Sequence, residues 1–255
     1  MKRFPFRLPV LLAALLSLAS PAAFAGTLTV AVAANVQYAF DELQAAFRKD
    51  TGHDVKPVFN SSGKLSAQIM SGAPFDVFLS ADMDYPEKLH KEGFAAAAPK
   101  VYAYGGLVLW TMKDLDLGKW QDTLSAPAVS RIAVANPKTA PYGRETMKAL
   151  AYFKLDGALK DKLVFGESIA QTNQYIHSRA ADAGFTAKSV VLSPEMQGQG
   201  KWIDVPKAAY QPIAQGIVVL KHGQQDNSKL AQQFHDFVLS AKARAIFERY
   251  GYLLP

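Results

Sequence analysis

From residue 28 onward the chain alternates short apolar runs with longer amphipathic stretches. Residues 28–34 read as a buried strand, and Val36, Ala39, Phe40, Leu43, Ala46 and Phe47 follow at helical spacing. The unit recurs: residues 55–60 precede a helix carrying Leu65 and Ile69, and residues 76–81 precede one carrying Leu89. Successive strand-then-helix units predict a largely parallel sheet, because parallel neighbours need crossover helices. Apolar residues 107–111 open a second series. There, 131–136 precedes a helix over 142–154, 164–166 precedes one over 169–180, and 185–192 reads as the closing strand. A late strand over 217–221 leads into helical patterning through Leu230, Phe234, Phe237, Val238, Ile246, Phe247 and Tyr250, which returns to the first series.

The expected fold is therefore α/β with two lobes, each a mostly parallel sheet flanked by helices, and a ligand cleft between them. The first lobe takes residues 26–104 and 217–255, the second takes 105–216. Two crossing strands, near 104–107 and 211–216, would form a hinge, with Gly105, Gly106 and Gly216 able either to absorb dihedral change or to permit tight packing. No repeat of fixed period and no low-complexity tract interrupts this plan.

The first 25 residues stand outside it. Lys2, Arg3 and Arg7 precede an apolar run over 8–18 that ends in Ala23-Phe24-Ala25, the pattern of a secretory signal peptide with cleavage expected after Ala25. No later run reaches the roughly 20 apolar residues of a membrane-spanning helix, so a freely diffusing, monomeric periplasmic protein is expected. Cysteine is absent, which excludes disulfides, thiolate metal sites and lipid attachment through cysteine. Without the three signal-peptide cations the net charge falls from +6 to +3. The remaining Lys and Arg are interspersed with acids rather than clustered, which argues against a nucleic-acid partner.

Candidate chemistry lies at the strand-to-helix turns, because open α/β sheets bind ligands beyond the carboxyl ends of their strands. Four turns place small, capping or conformationally special residues where a helix begins: Ala34-Asn35, Asn60-Ser61-Ser62-Gly63, Pro141-Tyr142-Gly143 and Glu167-Ser168-Ile169. A helix N-terminus offers unpaired N–H groups and about half a positive charge, so converging ends can hold a dianion without metal or cation. Each turn alone could be an ordinary cap. Their distribution, two per lobe, suits a cleft.

Four segments in order, Ala31-Val32-Ala33-Ala34-Asn35, Phe59-Asn60-Ser61-Ser62-Gly63-Lys64-Leu65, the run from Gly72 through Asp76 and Ser80 to Asp82, and Arg249-Tyr250-Gly251-Tyr252, carry a resemblance that covers the mature chain nearly end to end. Through them the chain resembles the periplasmic molybdate-binding proteins of ABC importers, which have the two-lobed periplasmic binding protein fold (type II). The resemblance implies capture of molybdate or tungstate by neutral donors and delivery to an inner-membrane ABC permease, with no catalysis and no cofactor. Carried over residue by residue, the ligand set becomes Asn35, Ser62, the N–H groups of Tyr142 and Ile169, and position 188, with Ser61 as a possible addition; any molybdenum would be held by these residues only as its oxyanion. Asn35 departs from the Ser often found there but keeps an N–H donor. Lys188 departs further, standing where the family commonly has Tyr. An ammonium facing the cleft would strengthen dianion binding and weaken geometric discrimination; the alternative is a side chain that snorkels to solvent.

Rival readings are weaker. Ser61-Ser62-Gly63-Lys64 contains the Ser-x-x-Lys of penicillin-recognising hydrolases, but no Ser-Asp-Asn accompanies it and Lys138-Thr139-Ala140 is a broken Lys-Thr-Gly. The five histidines lack paired metal spacing. Within the receptor class, sulfate or another tetrahedral dianion is the alternative ligand, since discrimination depends on cleft radius.

Overall fold

The structure is a computed structural model and describes residues 26–255; the signal segment lies outside the described residues. Ten strands run as β1 (Thr27–Ala33), β2 (Asp54–Asn60), β3 (Val77–Leu79), β4 (Lys100–Gly105), β5 (Leu107–Thr111), β6 (Ile132–Ala135), β7 (Leu163–Gly166), β8 (Ala183–Ala187), β9 (Lys201–Asp204) and β10 (Ile213–Val219). The α-helices are α1 (Gln37–Thr51), α2 (Ser62–Met70), α3 (Asp84–Lys91), α4 (Trp120–Ser125), α5 (Pro141–Tyr152), α6 (Asp156–Leu159), α7 (Ile169–His177), α8 (Lys188–Val191), α9 (Lys221–Asp226), α10 (Ser228–Val238) and α11 (Ala241–Arg249).

The strands form two five-stranded sheets, ordered β2-β1-β3-β10-β4 and β7-β6-β8-β5-β9. Parallel pairing links β1 to β2 and β3 in the first sheet, and β6 to β7 and β8 in the second. The remaining neighbours are antiparallel, so each sheet is evenly mixed rather than mostly parallel as expected: β10 pairs with β3 and β4, and β5 pairs with β8 and β9. Only Gly106 separates β4 from β5, so the chain crosses between sheets as nearly one continuous strand and returns between β9 and β10, which places residues 213–216, expected in the second lobe, in the first sheet. β10 breaks register between Gln215 and Gly216.

The two-residue period of β1 explains the packing of the first sheet. Leu28, Val30 and Val32 face a core built with Phe40 and Phe47 of α1, Phe234 of α10 and Phe247 of α11. Ala31 faces the opposite core, with Leu65 and Ile69 of α2 and Leu89 of α3. Phe47 meets Phe234 edge-on, with ring centroids 5.1 Å apart, a geometry the aromatic quadrupole favours. The second sheet has its own core around Trp110, Trp120, Leu150 and Phe185, which extends to Ala33, Ala34 and Ala81 of the first lobe.

One expected element differs. The strand anticipated over 185–192 ends at Ala187, and Lys188–Val191 turns into a short helix. Lys188 N–H donates to the Gly106 carbonyl at 2.8 Å, which pivots the chain at the crossing. Val190 and Val191 stay buried either way, so an apolar run could not distinguish strand from helical turn.

Candidate functional site

Four helix beginnings meet where the lobes face each other. A 3₁₀ turn, Ala34–Val36, follows β1 and leads into α1; α2 follows β2; α5 and α7 start from the second lobe. They enclose a cavity of about 10 Å³ lined by Ala33, Ala34, Asn35, Ser61, Ser62, Ala81, Ala140, Pro141, Tyr142 and Ile169. So small a cavity excludes an extended ligand. The small residues let four backbones approach one point.

Of the expected residues, Asn35, Ser61, Ser62, Tyr142 and Ile169 all line this cavity. The first-turn N–H groups of Asn35, Ser62, Tyr142 and Ile169 lie beyond intrahelical bonding, and among the described residues none of the four donates to a protein acceptor. Ordinary capping accounts for only one turn. Ser168 accepts from Gln171 N–H at 3.4 Å and caps α7. Ser61, at the cap position of α2, makes no cap bond, and Ala140 ahead of α5 has no polar side chain. The Ser61 hydroxyl is buried without a hydrogen-bond partner. Leaving it so costs about 1–3 kcal/mol, a cost explained if the hydroxyl serves a ligand. Ser62 Oγ accepts the Ala81 N–H at 2.9 Å, which leaves its own proton available to donate.

Asn35 departs from the sequence-based picture in one respect. Its carboxamide N–H groups donate to Gln215 Oε1 at 2.8 Å and to Tyr252 Oη at 3.1 Å, so its remaining N–H donor is the backbone one. Lys188 is not brought to the cavity at all. Its ammonium bonds both oxygens of Asp204, at 2.9 and 2.8 Å, and lies 5.5 Å from the Trp202 ring centroid. It lines a separate cavity of about 740 Å³ beside the Gly106 crossing, with Tyr104, Gly106, Tyr210 and Leu253. Because the strand ends at Ala187, the side chain leaves toward Gly106 and Gly251 rather than toward the helix ends.

The lobes touch around the cavity. Gly63 N–H donates to the Thr139 carbonyl at 2.9 Å, Tyr85 Oη donates to the Lys138 carbonyl at 3.3 Å, and Ser189 Oγ donates to the Asn35 carbonyl at 2.8 Å. Lys64 Nζ reaches Glu167 at 2.6 Å across the cleft, away from Ser61, so the Ser-x-x-Lys residues do not form a nucleophile-base pair. Arg144 bonds Asp82 and lies 3.2 Å from Asp84. Burial pushes the Asp82 carboxyl above the usual range, and the Arg144 charge opposes that shift. Charges at the cleft mouth are thus paired with each other, and the cavity wall itself is neutral. No group of three His, Cys, Asp or Glu suited to a metal ion occurs among the described residues.

What sequence reasoning missed is the hydrogen-bonded layer behind the cavity: Tyr102, Ser189, Gln215 and Tyr252. Gln215 had a signal, a lone amide within the apolar run of β10.

Residues 28–253 match the family described as bacterial extracellular solute-binding proteins. The chain is 41% identical over 232 residues to the molybdate-binding protein ModA of Azotobacter vinelandii, covering 91% of each chain. It is 38% identical over 243 residues to that of Rhodobacter capsulatus, covering 95% of this chain and 94% of the other. The solved structure of the Azotobacter vinelandii periplasmic molybdate-binding protein superposes with a TM-score of 0.83 at 36% identity, over 89% of this chain and 99% of that one.

Proposed function

We propose that this chain, which belongs to the bacterial extracellular solute-binding proteins and within them to the molybdate-binding proteins, captures molybdate in the periplasm and hands it to an ABC permease. The observation that carries the reading is the convergence on one small cavity of four unpaired first-turn N–H groups and the unpartnered Ser61 hydroxyl. An anion there would accept from the N–H groups of Asn35, Ser62, Tyr142 and Ile169 and from the Ser61 and Ser62 hydroxyls. The helix ends supply about half a positive charge each, enough together to balance a dianion. Tungstate, with the same shape and charge, fits the same donors.

Half of the N–H donors belong to each lobe, so the anion completes its bonds only when the lobes close. Binding is thereby linked to a shape that a transporter can recognise, through a shift in the open-closed population. No bond of the anion is made or broken. The chain acts as a monomer, exported with loss of residues 1–25; no helix of the described residues is long and apolar enough to cross a membrane.

The test is calorimetric titration and thermal melting of residues 26–255 with molybdate, tungstate, sulfate and phosphate. Saturable binding and a raised melting temperature with molybdate and tungstate are expected. Absence of both effects at millimolar molybdate would overturn the reading.

A further inference from the structure

Gln215 is wholly buried in β10, the first-sheet strand that follows the return crossing from the second lobe. A buried carboxamide is costly unless its groups are bonded, and this one is. Its Oε1 accepts from Asn35 Nδ2 at 2.8 Å and from Tyr102 Oη at 2.7 Å, and its Nε2 donates to Tyr142 Oη at 3.2 Å. Asn35 and Tyr142 are the cavity residues of opposite lobes. Gln215 therefore joins the two halves of the site from behind.

Two backbone features serve the same contact. The register break between Gln215 and Gly216 is a local irregularity of the kind that re-aims a side chain. On the facing strand, a Cβ at Gly105 would fall inside the Tyr142 hydroxyl and 2.5 Å from Gln215 Nε2. A side chain at 105 would displace the cross-lobe bond. The glycine is there for close approach, since its φ is not positive.

Asn35 shows what the arrangement achieves. Gln215 and Tyr252 together take both carboxamide N–H groups, and the Asn35 carbonyl accepts from Tyr252 Oη at 2.9 Å and Ser189 Oγ at 2.8 Å. The residue is held on both sides, so its backbone N–H points in one direction. At the other end, the bond to Tyr142 Oη locates the residue whose N–H begins α5.

We propose that Gln215 is a positioning residue for oxyanion capture: its amide aligns the Asn35 and Tyr142 donors and makes their alignment depend on lobe closure. The proposal rests on the reading of the cavity as a molybdate site. Gln215 touches no ligand itself. Its contribution is that the amide presents an acceptor to one lobe and a donor to the other, a pattern that methionine cannot supply and that glutamic acid supplies only when protonated.

This asymmetry provides the test. Molybdate affinity is measured by calorimetry for wild type, Gln215→Met, Gln215→Glu, Tyr142→Phe and the Gln215→Met/Tyr142→Phe pair, with ligand-free melting recorded for each. Gln215→Met leaves three buried polar partners short of a bond, and affinity is expected to fall about 10- to 100-fold. Tyr142→Phe removes only the far end of the bridge and should cost less, and the double variant should be no weaker than Gln215→Met, since the two changes delete a shared contact.

Gln215→Glu carries the readout that a purely structural role would not move. Burial raises a carboxyl pKa, so affinity should be low at pH 8.5 and recover toward wild type as the pH falls to 6, relative to the wild-type profile in the same buffers. The groups facing position 215 are the Tyr102, Tyr142 and Tyr252 hydroxyls, which burial holds neutral across that window, and Asp82, whose carboxylate is engaged with Arg144. Affinity within threefold of wild type for Gln215→Met, or a Gln215→Glu profile parallel to wild type, overturns the proposal; so does lowered ligand-free melting with affinity retained. If wild type itself binds no oxyanion, the functional reading fails first and this one with it.

Discussion

Gly63→Ala isolates the link between closure and binding. Gly63 lies in the first turn of α2, and a Cβ added there would sit 2.9 Å from Thr139 Cα, 3.0 Å from the Thr139 carbonyl oxygen and 2.5 Å from Tyr85 Oη. Tyr85 is a side chain and can swing aside. Thr139 is backbone of the opposite lobe and cannot, so the lobes must separate by roughly half an ångström to reach ordinary contact distance. That separation stretches the 2.9 Å bond from Gly63 N–H to Thr139 and withdraws the Tyr142 and Ile169 donors from the cavity. Overpacking of this kind costs about 1–3 kcal/mol, or roughly 5- to 150-fold in affinity. Within the first lobe the change is benign: the position is helical without positive φ, and alanine is the better helix former. Calorimetric titration with molybdate should therefore show weaker binding while ligand-free melting holds or rises. Affinity within twofold of wild type would refute the claim that this contact belongs to the binding-competent arrangement.

Other perturbations separate the remaining parts. Ser62→Ala deletes a hydroxyl that accepts from Ala81 and can donate to an anion; hydrogen bonds to charged groups contribute about 1.5–3 kcal/mol, so titration should show roughly 10- to 100-fold weaker molybdate binding. Lys188→Ala should leave affinity and its salt dependence unchanged, because the ammonium is engaged with Asp204 outside the small cavity; a salt-dependent loss in the same titrations would return Lys188 to the site. Asp182 tests the second lobe: burial pushes its carboxyl up, but bonds from Lys113 and from the Ser130 and Arg131 N–H groups outweigh this and hold it below the usual range. A depressed carboxyl stabilises the fold above its unfolded value of about 3.9 and loses that contribution as pH falls toward its folded value. Asp182→Asn should therefore melt lower than wild type at pH 7, with the gap closing below about pH 4.

How much was legible depended on whether position along a strand settled the answer. Asn35, Ser62, Tyr142 and Ile169 follow strands directly or stand at helix starts, and chain order places such residues at one edge of a sheet. Lys188 stands outside the small cavity because its place depends on where β8 stops, and apolar residues 185–192 give no sign that the backbone turns after Ala187. The Asn35 carboxamide failed for a related reason: a side chain can donate only what its neighbours leave, and those neighbours, Gln215 and Tyr252, lie 180 and 217 residues away. Two strands, Lys100–Gly105 and Lys201–Asp204, escaped pattern reading because exposed lysines and partly buried positions break their alternation.

Closure can report the ligand only if the contacts that close the lobes are weak without it. Lys64 and Glu167 are 40% and 53% exposed, and such pairs contribute no more than about 1 kcal/mol. Gly63 to Thr139 and Tyr85 to Lys138 are single neutral hydrogen bonds, each worth about 1 kcal/mol net. Arg144 with Asp82 is better shielded, yet the desolvation that raises the Asp82 pKa is the penalty that erodes the gain from pairing. An anion shared by donors of both lobes forms several charge-assisted bonds at once, and each is roughly twice as strong as a neutral one. On the proposed reading, these bonds would together outweigh each of the three polar contacts just weighed. A ligand shifts an equilibrium only by its difference in affinity for the two states, and donors divided between the lobes provide that difference. A cation at the cavity wall would have bound the anion in the open form too, and the shape change would then report occupancy less faithfully.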